Sequence, residues 1–313
     1  MGGVTPSGLD DAWRFQRPAQ GQLVIDHLGH YVPDPDAGAA ALARLGFSVP
    51  PFSVHQHRID PGSPLVPVGT GNRCVMLERG YLEFLSPVAD TANAREVRAA
   101  AGRYVGVHLI AFGTADPASD HARLAAQGFS PMPLVDLQRP VETSDGEKTV
   151  RFGVVRVPEG IMEEGRVQFC EQRAPQVIWQ PRWMRHPNHA VALDAVIVCN
   201  RDPAGAAQRF ARFTGLAAKK FASEFSLDTA RGALYFVEPQ HAAAWLGVVA
   251  PDPPWIPGYV LASDDLDTSR IHFEAQGLAT RPLDGQRFAV AAPAAVGGVL
   301  VFQARGAGMP KFR

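Results

Sequence analysis

The sequence predicts an α+β fold of four βαβββ modules, and three observations support this prediction. The chain has 313 residues, more than one ordinary hydrophobic core accommodates. A pattern of an apolar strand, an aspartate-containing turn and a helix ending in glycine occurs four times. Strand-like segments follow each helix, which gives each repeat the order βαβββ. Because one module buries only one face of its sheet, we expect the modules to pair.

The repeats open with the segments LVIDHLGHYVPDPD, YVGVHLIAFGTADP, ALDAVIVCNRDP and GYVLASDDLD. Apolar residues at helical spacing follow, as at Phe210, Phe213 and Leu216 in the third repeat. Asp-Pro pairs at 34–35, 116–117 and 202–203 predict helix N-termini. The residues predicted to end the helices in the left-handed conformation are Gly46, Gly128, Gly215 and Gly277.

Composition and charge narrow the class of protein. The formal net charge of −1 and the absence of a basic stripe argue against nucleic-acid binding. The apolar runs are too short to cross a membrane, and the first 22 residues lack the apolar region of a signal peptide. The cysteines Cys74, Cys170 and Cys199 are odd in number and lack CxxC spacing, which argues against a disulfide framework. We therefore expect a cytoplasmic protein, either monomeric or homodimeric.

Four regions are predicted along the chain. Residues 1–21 form a lead-in arm, and residues 22–175 form a first domain from two modules. Residues 176–190 form a connector that contains two tryptophans and packs across the halves, and residues 191–313 form a second domain.

Strand alternation predicts which polar side chains point away from the helices. In the opening strand of the second module, Val107 and Leu109 are assigned to the helix side, so His108 points the other way. In the first module, His27 is assigned to the same side as Ile25. The two histidines are predicted to occupy equivalent positions in their modules.

The closing strands add a second pair of polar residues. Leu82 and Phe84 face the helix, which leaves Glu83 on the opposite side, and the same alternation places Gln168 away from the helix. Two imidazoles, one carboxylate and one amide are thus predicted to lie at corresponding places in the two modules.

The stretches GTGNRCVMLERGYLEF and YVGVHLIAFGTADP resemble glyoxalase-like domain proteins of the vicinal oxygen chelate superfamily. This superfamily includes glyoxalase I, fosfomycin- and bleomycin-resistance proteins and extradiol dioxygenases. The resemblance extends from residue 22 to about residue 305 and is clearest over 23–172. It implies two glyoxalase-like domains, each with a U-shaped mixed sheet. It also implies a metal bound by the first and last strands of each module, at His27, Glu83, His108 and Gln168.

The chain departs from the family pattern at two places. Relatives usually have glutamate where this chain has Gln168, a neutral and weaker donor; Glu171 is an alternative ligand that would need a β-bulge. The second half lacks metal ligands, and the residues at its matching positions are Ala195, Tyr235, Tyr259 and Val301.

Further residues are candidates for a substrate pocket. Arg73 either pairs with an anionic substrate or binds a surface carboxylate, and Tyr81 either lines the pocket or packs in the core. His55 and His57 either face substrate or lie on a solvated edge, and Arg139 is a candidate for closing the pocket.

The ligand set indicates one divalent transition metal, Zn²⁺, Fe²⁺, Mn²⁺, Co²⁺ or Ni²⁺, and argues against Ca²⁺ and Mg²⁺. Such a metal acts as a Lewis acid on a small-molecule substrate that binds through two adjacent oxygens. The resemblance implies a lyase or isomerase in which Glu83 is the catalytic base. Two alternatives stay open: an extradiol-type ring-cleaving dioxygenase, and a non-catalytic protein that binds a drug or metabolite.

Overall fold

A computed structural model describes residues 9–58, 64–248, 251–308 and 310, with the backbone alone at 57 and 58. The first module consists of β1 (Val24–Tyr31), α1 (Pro35–Arg44), β2 (Ser53–Arg58), β3 (Leu65–Met76) and β4 (Tyr81–Pro87). After α2 (Ala92–Arg103), the second consists of β5 (Gly106–Gly113), α3 (Pro117–Ala126), β6 (Val135–Thr143), β7 (Gly146–Arg156) and β8 (Arg166–Gln172).

The second half repeats this order after a short helix α4 (Pro175–Ile178). Its third module consists of β9 (Ala190–Cys199), α5 (Pro203–Thr214), β10 (Ala218–Phe221), β11 (Glu224–Asp228) and β12 (Ala233–Val237). After α6 (Pro239–Leu246), the fourth consists of β13 (Trp255–Ser263), α7 (Leu266–Ala275), β14 (Thr280–Asp284), β15 (Arg287–Ala291) and β16 (Val299–Ala304). Two 3-10 helices lie at Leu9–Phe15 and Pro181–Trp183. The predicted fold of four βαβββ modules is confirmed.

The helix ends follow the local sequence signals. An aspartate caps the first helix of each module and accepts hydrogen bonds from backbone N–H groups of the first turn. The four predicted C-terminal glycines all have positive φ, between +64° and +81°, a conformation that glycine adopts without the strain of a Cβ atom. These signals lie within a few residues of each helix end, so the sequence alone is enough to predict where the helices begin and end.

The strands of the first two modules form a closed ring in the order β1-β4-β3-β2-β6-β7-β8-β5. Strand β1 lies parallel to β4 and antiparallel to β5, which joins the modules along their opening strands. A bridge between Gln56 of β2 and Gln138 of β6 joins the far edges. The sheet that was predicted to be U-shaped is therefore closed at its mouth in the first half.

The strands of the last two modules have the order β10-β11-β12-β9-β13-β16-β15-β14. Among the described strands, no pairing joins β10 to β14, so this second sheet keeps the open form. Strand β13 also bridges to β5 through Ile256 and Val107, which connects the two sheets.

A large hydrophobic core contains buried side chains from both halves. Phe169 of β8 stacks on Phe213 of α5 with the ring centroids 5.0 Å apart, and Phe129 meets Phe213 edge-on. Burial of apolar surface between the halves supplies the main driving force for their association. The second half thus packs against the helix-covered face of the first sheet. The interior of the ring lies on the other face of that sheet.

The connector at 176–190 is anchored to the first module. The indole N–H of the buried Trp179 donates to the carbonyl of Leu77 at 3.0 Å. His186 accepts from the backbone N–H of Ser48 through Nδ1 and donates from Nε2 to the carbonyl of Met76. Both ring nitrogens are satisfied only in the neutral imidazole, and burial lowers the pKa of His186 to about 4. The division into domains at this connector stays a prediction.

Candidate functional site

The ring of the first half encloses a cavity of about 820 Å³ that is lined by residues of all eight of its strands. Helix α2 covers part of the cavity with side chains that include Asn93 and Glu96. Cavities of this size are typical of small-molecule sites. Polar side chains that converge on this cavity are therefore candidates for binding and catalysis.

A β-bulge at Asp26 turns His27 towards the cavity. In the pairing of β1 with β5, Ile25 lies opposite Phe112 and His27 lies opposite Ala111, so Asp26 is an extra residue. As a result Ile25 belongs to the helix-side core, whereas His27 lines the cavity. The prediction that Ile25 and His27 share a side is wrong, because simple alternation does not hold across a bulge.

The bulge also brings Asp26 into contact with the neighbouring imidazole. His27 Nδ1 lies 2.6 Å from Asp26 Oδ2, and Gln172 Nε2 donates to the same oxygen at 2.9 Å. In the tautomer of the neutral imidazole whose Nδ1–H donates to this carboxylate, the lone pair is on Nε2, which faces the cavity. The ring of His27 stacks on Tyr81, with the centroids 4.4 Å apart.

Glu83 lies within reach of His27. Its Oε2 is 3.8 Å from His27 Nε2, and its Oε1 accepts a hydrogen bond from Asn72 Nδ2 at 2.5 Å. Oε1 is also 3.9 Å from His55 Nε2, and His55 Nδ1 is hydrogen-bonded to the hydroxyl of Thr70 at 3.1 Å. Burial lowers the pKa of His55, although the charge of Glu83 opposes this effect.

His108 does not take the place that the repeat predicted. Gly29 of β1 pairs with Leu109 and His30 pairs with Val107, so His108 is itself an extra residue in a second bulge. Leu109 faces the cavity and occupies the place that corresponds to His27, because each lies two residues before the register partner of its closing-strand residue, Gln168 or Glu83. The predicted equivalence of His27 and His108 is therefore wrong, as is the assignment of Leu109 to the helix side.

The His108 side chain still borders the cavity, but it is engaged with aromatic neighbours. Its Nε2 donates to the carbonyl of Tyr104 at 2.7 Å, and its ring stacks on Tyr104 with the centroids 3.9 Å apart. Burial lowers its pKa to about 4. Among the described residues, no ion pair joins His108 to Glu83.

Regular alternation does hold in the closing strands. Glu83 and Gln168 both line the cavity, as the sequence predicted. Glu171 lies outside it and forms an ion pair with Arg173 at 2.9 Å, so the alternative ligand is not at the cavity.

The structure separates the four predicted pocket residues. Tyr81 and Arg139 line the cavity. Arg73 does not: its guanidinium donates to the carbonyl of Pro50 and lies over the ring of Phe52, outside the ring cavity. The side chain of His57 is outside the described residues.

Sequence reasoning missed three supporting residues, Asp26, Thr70 and Asn72. Asp26 precedes His27 directly, and strand alternation assigned the two to opposite sides. Thr70 and Asn72 alternate along β3 and face the cavity with Glu83, a pattern that the segment GTGNRC contained. Cys170 also lines the cavity, and Cys74 of β3 lies opposite Glu83 of β4 in the sheet. Burial raises the pKa of Cys74 to about 12, so this thiol stays protonated at neutral pH.

The side chains offer a partial fit to a divalent metal. In the described part of the chain, no three or more His, Cys, Asp or Glu side chains are arranged so that they could hold an ion as they stand. The chemistry of the donor set nevertheless suits a transition metal, because His27 presents a free Nε2 next to the Glu83 carboxylate. The Asp26 contact is the carboxylate–histidine pattern that orients metal-bound imidazoles.

The corresponding space in the second half is filled by side chains. Ala195 and Tyr235 belong to one apolar cluster, to which Trp245 of α6 and Trp255 of β13 add indole rings. Val301 belongs to the same cluster, whereas Tyr259 lies in the core between the halves. The predicted lack of ligands at these positions thus coincides with a packed interior.

None of the helices in the described residues is long and apolar enough to cross a membrane.

Three solved structures share the fold over most of their length. A hypothetical protein from Staphylococcus aureus matches 90% of this chain and 99% of its own, with a TM-score of 0.60 and 11% identity. A mutant of 4-hydroxymandelate synthase from Streptomyces coelicolor matches 92% and 95%, with a TM-score of 0.53 and 16% identity. The Mn(II)-bound glyoxalase from Novosphingobium aromaticivorans matches 90% and 81%, with a TM-score of 0.50 and 12% identity.

At these identities the structures demonstrate a shared fold and nothing finer. The search of curated proteins gives no match. The family model described as a glyoxalase-like domain matches residues 25–214, from the first strand of the ring to the end of α5. Since this match covers more than half of the sequence, the chain belongs to the glyoxalase-like domain family of the vicinal oxygen chelate superfamily.

Proposed function

We propose that this protein is a metal-dependent enzyme that performs lyase or isomerase chemistry on a small compound with two adjacent oxygens. The observation that supports it best is the arrangement of Asp26, His27 and Glu83 at the wall of the ring cavity. His27 Nε2 and Glu83 Oε2 are proposed to hold the metal, with Gln168 as a further oxygen donor. When bound, the metal supplies Lewis acidity that stabilises negative charge on a substrate oxygen.

Glu83 is the proposed catalytic base. Asn72 holds its Oε1, which leaves Oε2 on the side of His27. On leaving the metal, this oxygen would accept a proton from the carbon next to a polarised carbonyl and return it to the neighbouring carbon, as an isomerisation requires.

Two arginines favour a substrate with negative charge. Arg139 and Arg156 line the cavity, and within the described residues neither forms an ion pair with a carboxylate. The Nε of Arg156 is buried without a hydrogen-bond partner, although a buried guanidinium is ordinarily satisfied. An anionic group on the substrate would satisfy it.

A ring-cleaving or other oxygenase is the second candidate. It is favoured by the presence of two imidazoles, of His27 and His55, on either side of the Glu83 carboxylate. Two histidines and one carboxylate are the ligands of many non-haem Fe²⁺ oxygenases. The solved 4-hydroxymandelate synthase also has this fold.

The deciding experiment is elemental analysis of the purified chain after loading with Mn²⁺, Fe²⁺, Co²⁺, Ni²⁺ or Zn²⁺ and gel filtration. We expect stoichiometric binding of at least one of these ions. Loaded protein is then incubated with hemithioacetals of 2-oxoaldehydes, with 2-oxo acids and with catechols, and followed by proton NMR and oxygen electrode. Isomerisation without oxygen uptake supports the first function, and oxygen uptake supports the second. Failure to retain any of the five ions refutes both and leaves a metal-independent binding protein.

A further inference from the structure

Both oxygens of the Glu83 carboxylate face an imidazole nitrogen. His27 Nε2 is 3.8 Å from Oε2, and His55 Nε2 is 3.9 Å from Oε1. The two imidazoles come from different strands, β1 and β2, and they approach the carboxylate from two directions. The carboxylate is thus the point where the two rings converge.

The other nitrogen of each ring already has a partner. His27 Nδ1 is held by Asp26 Oδ2 at 2.6 Å, and His55 Nδ1 is held by the Thr70 hydroxyl at 3.1 Å. Thr70 in turn accepts a hydrogen bond from Asn93 Nδ2 at 3.2 Å. Partners of this kind fix ring orientation in metal-bound histidines and leave Nε2 for the metal.

Each of the two nitrogen–oxygen pairs is close enough for both of its atoms to bind the same ion. Two donors that each lie about 2.0–2.2 Å from a transition metal can be no more than about 4.4 Å apart. The separations of 3.8 Å and 3.9 Å fall below that limit. Because the three side chains do not form a complete site as they stand, binding of one ion by both rings requires the His55 side chain to move so that its Nε2 joins His27 Nε2 and Glu83.

His108 lies apart from the Glu83 carboxylate: within the described residues, the ion pairs of Glu83 with histidine are those with His27 and His55. Its Nε2 is used by the carbonyl of Tyr104, its ring is stacked between Tyr104 and Tyr31, and the bulge in β5 puts Leu109 in the place that corresponds to His27. We propose that His55 of β2, and not His108 of β5, is the second imidazole ligand of the metal. This inference rests on the proposed function, and it assigns a ligand from a strand that the resemblance did not point to.

The test compares His55→Ala with His108→Ala, both in the full chain, by titration with Co²⁺ followed by visible absorption. We expect the Kd for Co²⁺ to rise by at least about tenfold in His55→Ala, since even supporting residues of a metal site cost 10–100-fold. We expect a change of less than about threefold in His108→Ala. His55→Gln, which keeps a polar side chain against Thr70, serves as a second variant should the alanine variant fold poorly.

Proton NMR of the Co²⁺-loaded protein gives an independent readout. Each bound imidazole contributes one strongly shifted exchangeable N–H resonance, so two are expected in the wild type and in His108→Ala, and one in His55→Ala. The inference is overturned if His55→Ala keeps both resonances and wild-type affinity, or if His108→Ala loses one. A wild type that binds no Co²⁺ overturns the proposed function itself, which distinguishes the two failures.

Discussion

Asp26 and His27 are neighbours in one strand, yet their side chains are joined by a contact of 2.6 Å between Oδ2 and Nδ1. In a regular strand these side chains would point to opposite faces. The bulge at Asp26 removes that alternation and places the carboxylate behind the imidazole. The orientation of the candidate site therefore depends on an irregularity in the sheet.

Replacing this carboxylate should weaken metal binding. We expect Asp26→Asn to raise the Kd for Zn²⁺ or Co²⁺ by about 10–100-fold, because the amide no longer favours the His27 tautomer with its lone pair on Nε2. Competition titration with a chromophoric chelator measures the change.

Asp194 provides a matched control for this prediction. It is the extra residue of a bulge in β9, and it accepts a hydrogen bond from Gln303 at 2.7 Å, but Ala195 follows it instead of histidine. Asp194→Asn should leave the Kd unchanged. Equal affinity of Asp26→Asn and the wild type would show that the Asp26 carboxylate plays no part in metal binding.

Glu83→Gln should separate metal binding from turnover. Glutamine is nearly the same size as glutamate and can still form hydrogen bonds, but its amide cannot act as a base. The kcat of metal-loaded protein should therefore fall by about 10²–10⁴-fold. Metal content and kcat are measured on the same sample. Glu171→Gln, which changes a carboxylate outside the cavity, should retain full activity. Undiminished kcat in metal-loaded Glu83→Gln would remove Glu83 from the proton transfer.

Stability should fall as the pH drops below about 6.5. Burial lowers the pKa of His30 to about 3 and that of His186 to about 4, from 6.5 in an unfolded chain. The unfolded state therefore binds protons first, and each group reduces the free energy of unfolding by about 1.4 kcal/mol per pH unit between its two pKa values.

Urea denaturation between pH 7 and pH 5 measures this slope above the range where most carboxylates titrate. The His30→Phe variant keeps an aromatic ring against Phe84, on which His30 stacks with the centroids 4.3 Å apart, and its slope should be smaller by about 1.4 kcal/mol per pH unit. A free energy of unfolding that is constant over this interval would contradict the prediction.

The connector should contribute strongly to stability through one of its two tryptophans. Trp179 is buried and hydrogen-bonded to Leu77, so Trp179→Ala should reduce the free energy of unfolding by about 3–5 kcal/mol. Trp183 is partly exposed, and Trp183→Ala should cost much less. Urea denaturation of both variants provides the comparison, and similar losses for the two would mean that the connector does not anchor through Trp179.

Much of this fold and part of its site could be read from the sequence because the signals are local. The Asp-Pro pairs and C-terminal glycines mark helix ends within a single turn, and the repeat of these marks specifies four βαβββ modules. Glu83 and Gln168 were placed on the cavity side correctly, because β4 and β8 follow regular alternation there.

Only the tertiary structure decided which histidines accompany Glu83. A bulge is defined by the partner strand, and the pairing of β1 with β5 joins residues that are far apart in the chain, so the shifts at Asp26 and His108 have no local signature. The pairing of Gln56 with Gln138, which closes the ring, also joins residues that are far apart in the chain. It involves β2, the strand that carries His55 on the cavity wall. The sequence by itself therefore determined the four modules and the cavity-side position of the Glu83 carboxylate. Strand register determined which imidazoles lie around that carboxylate.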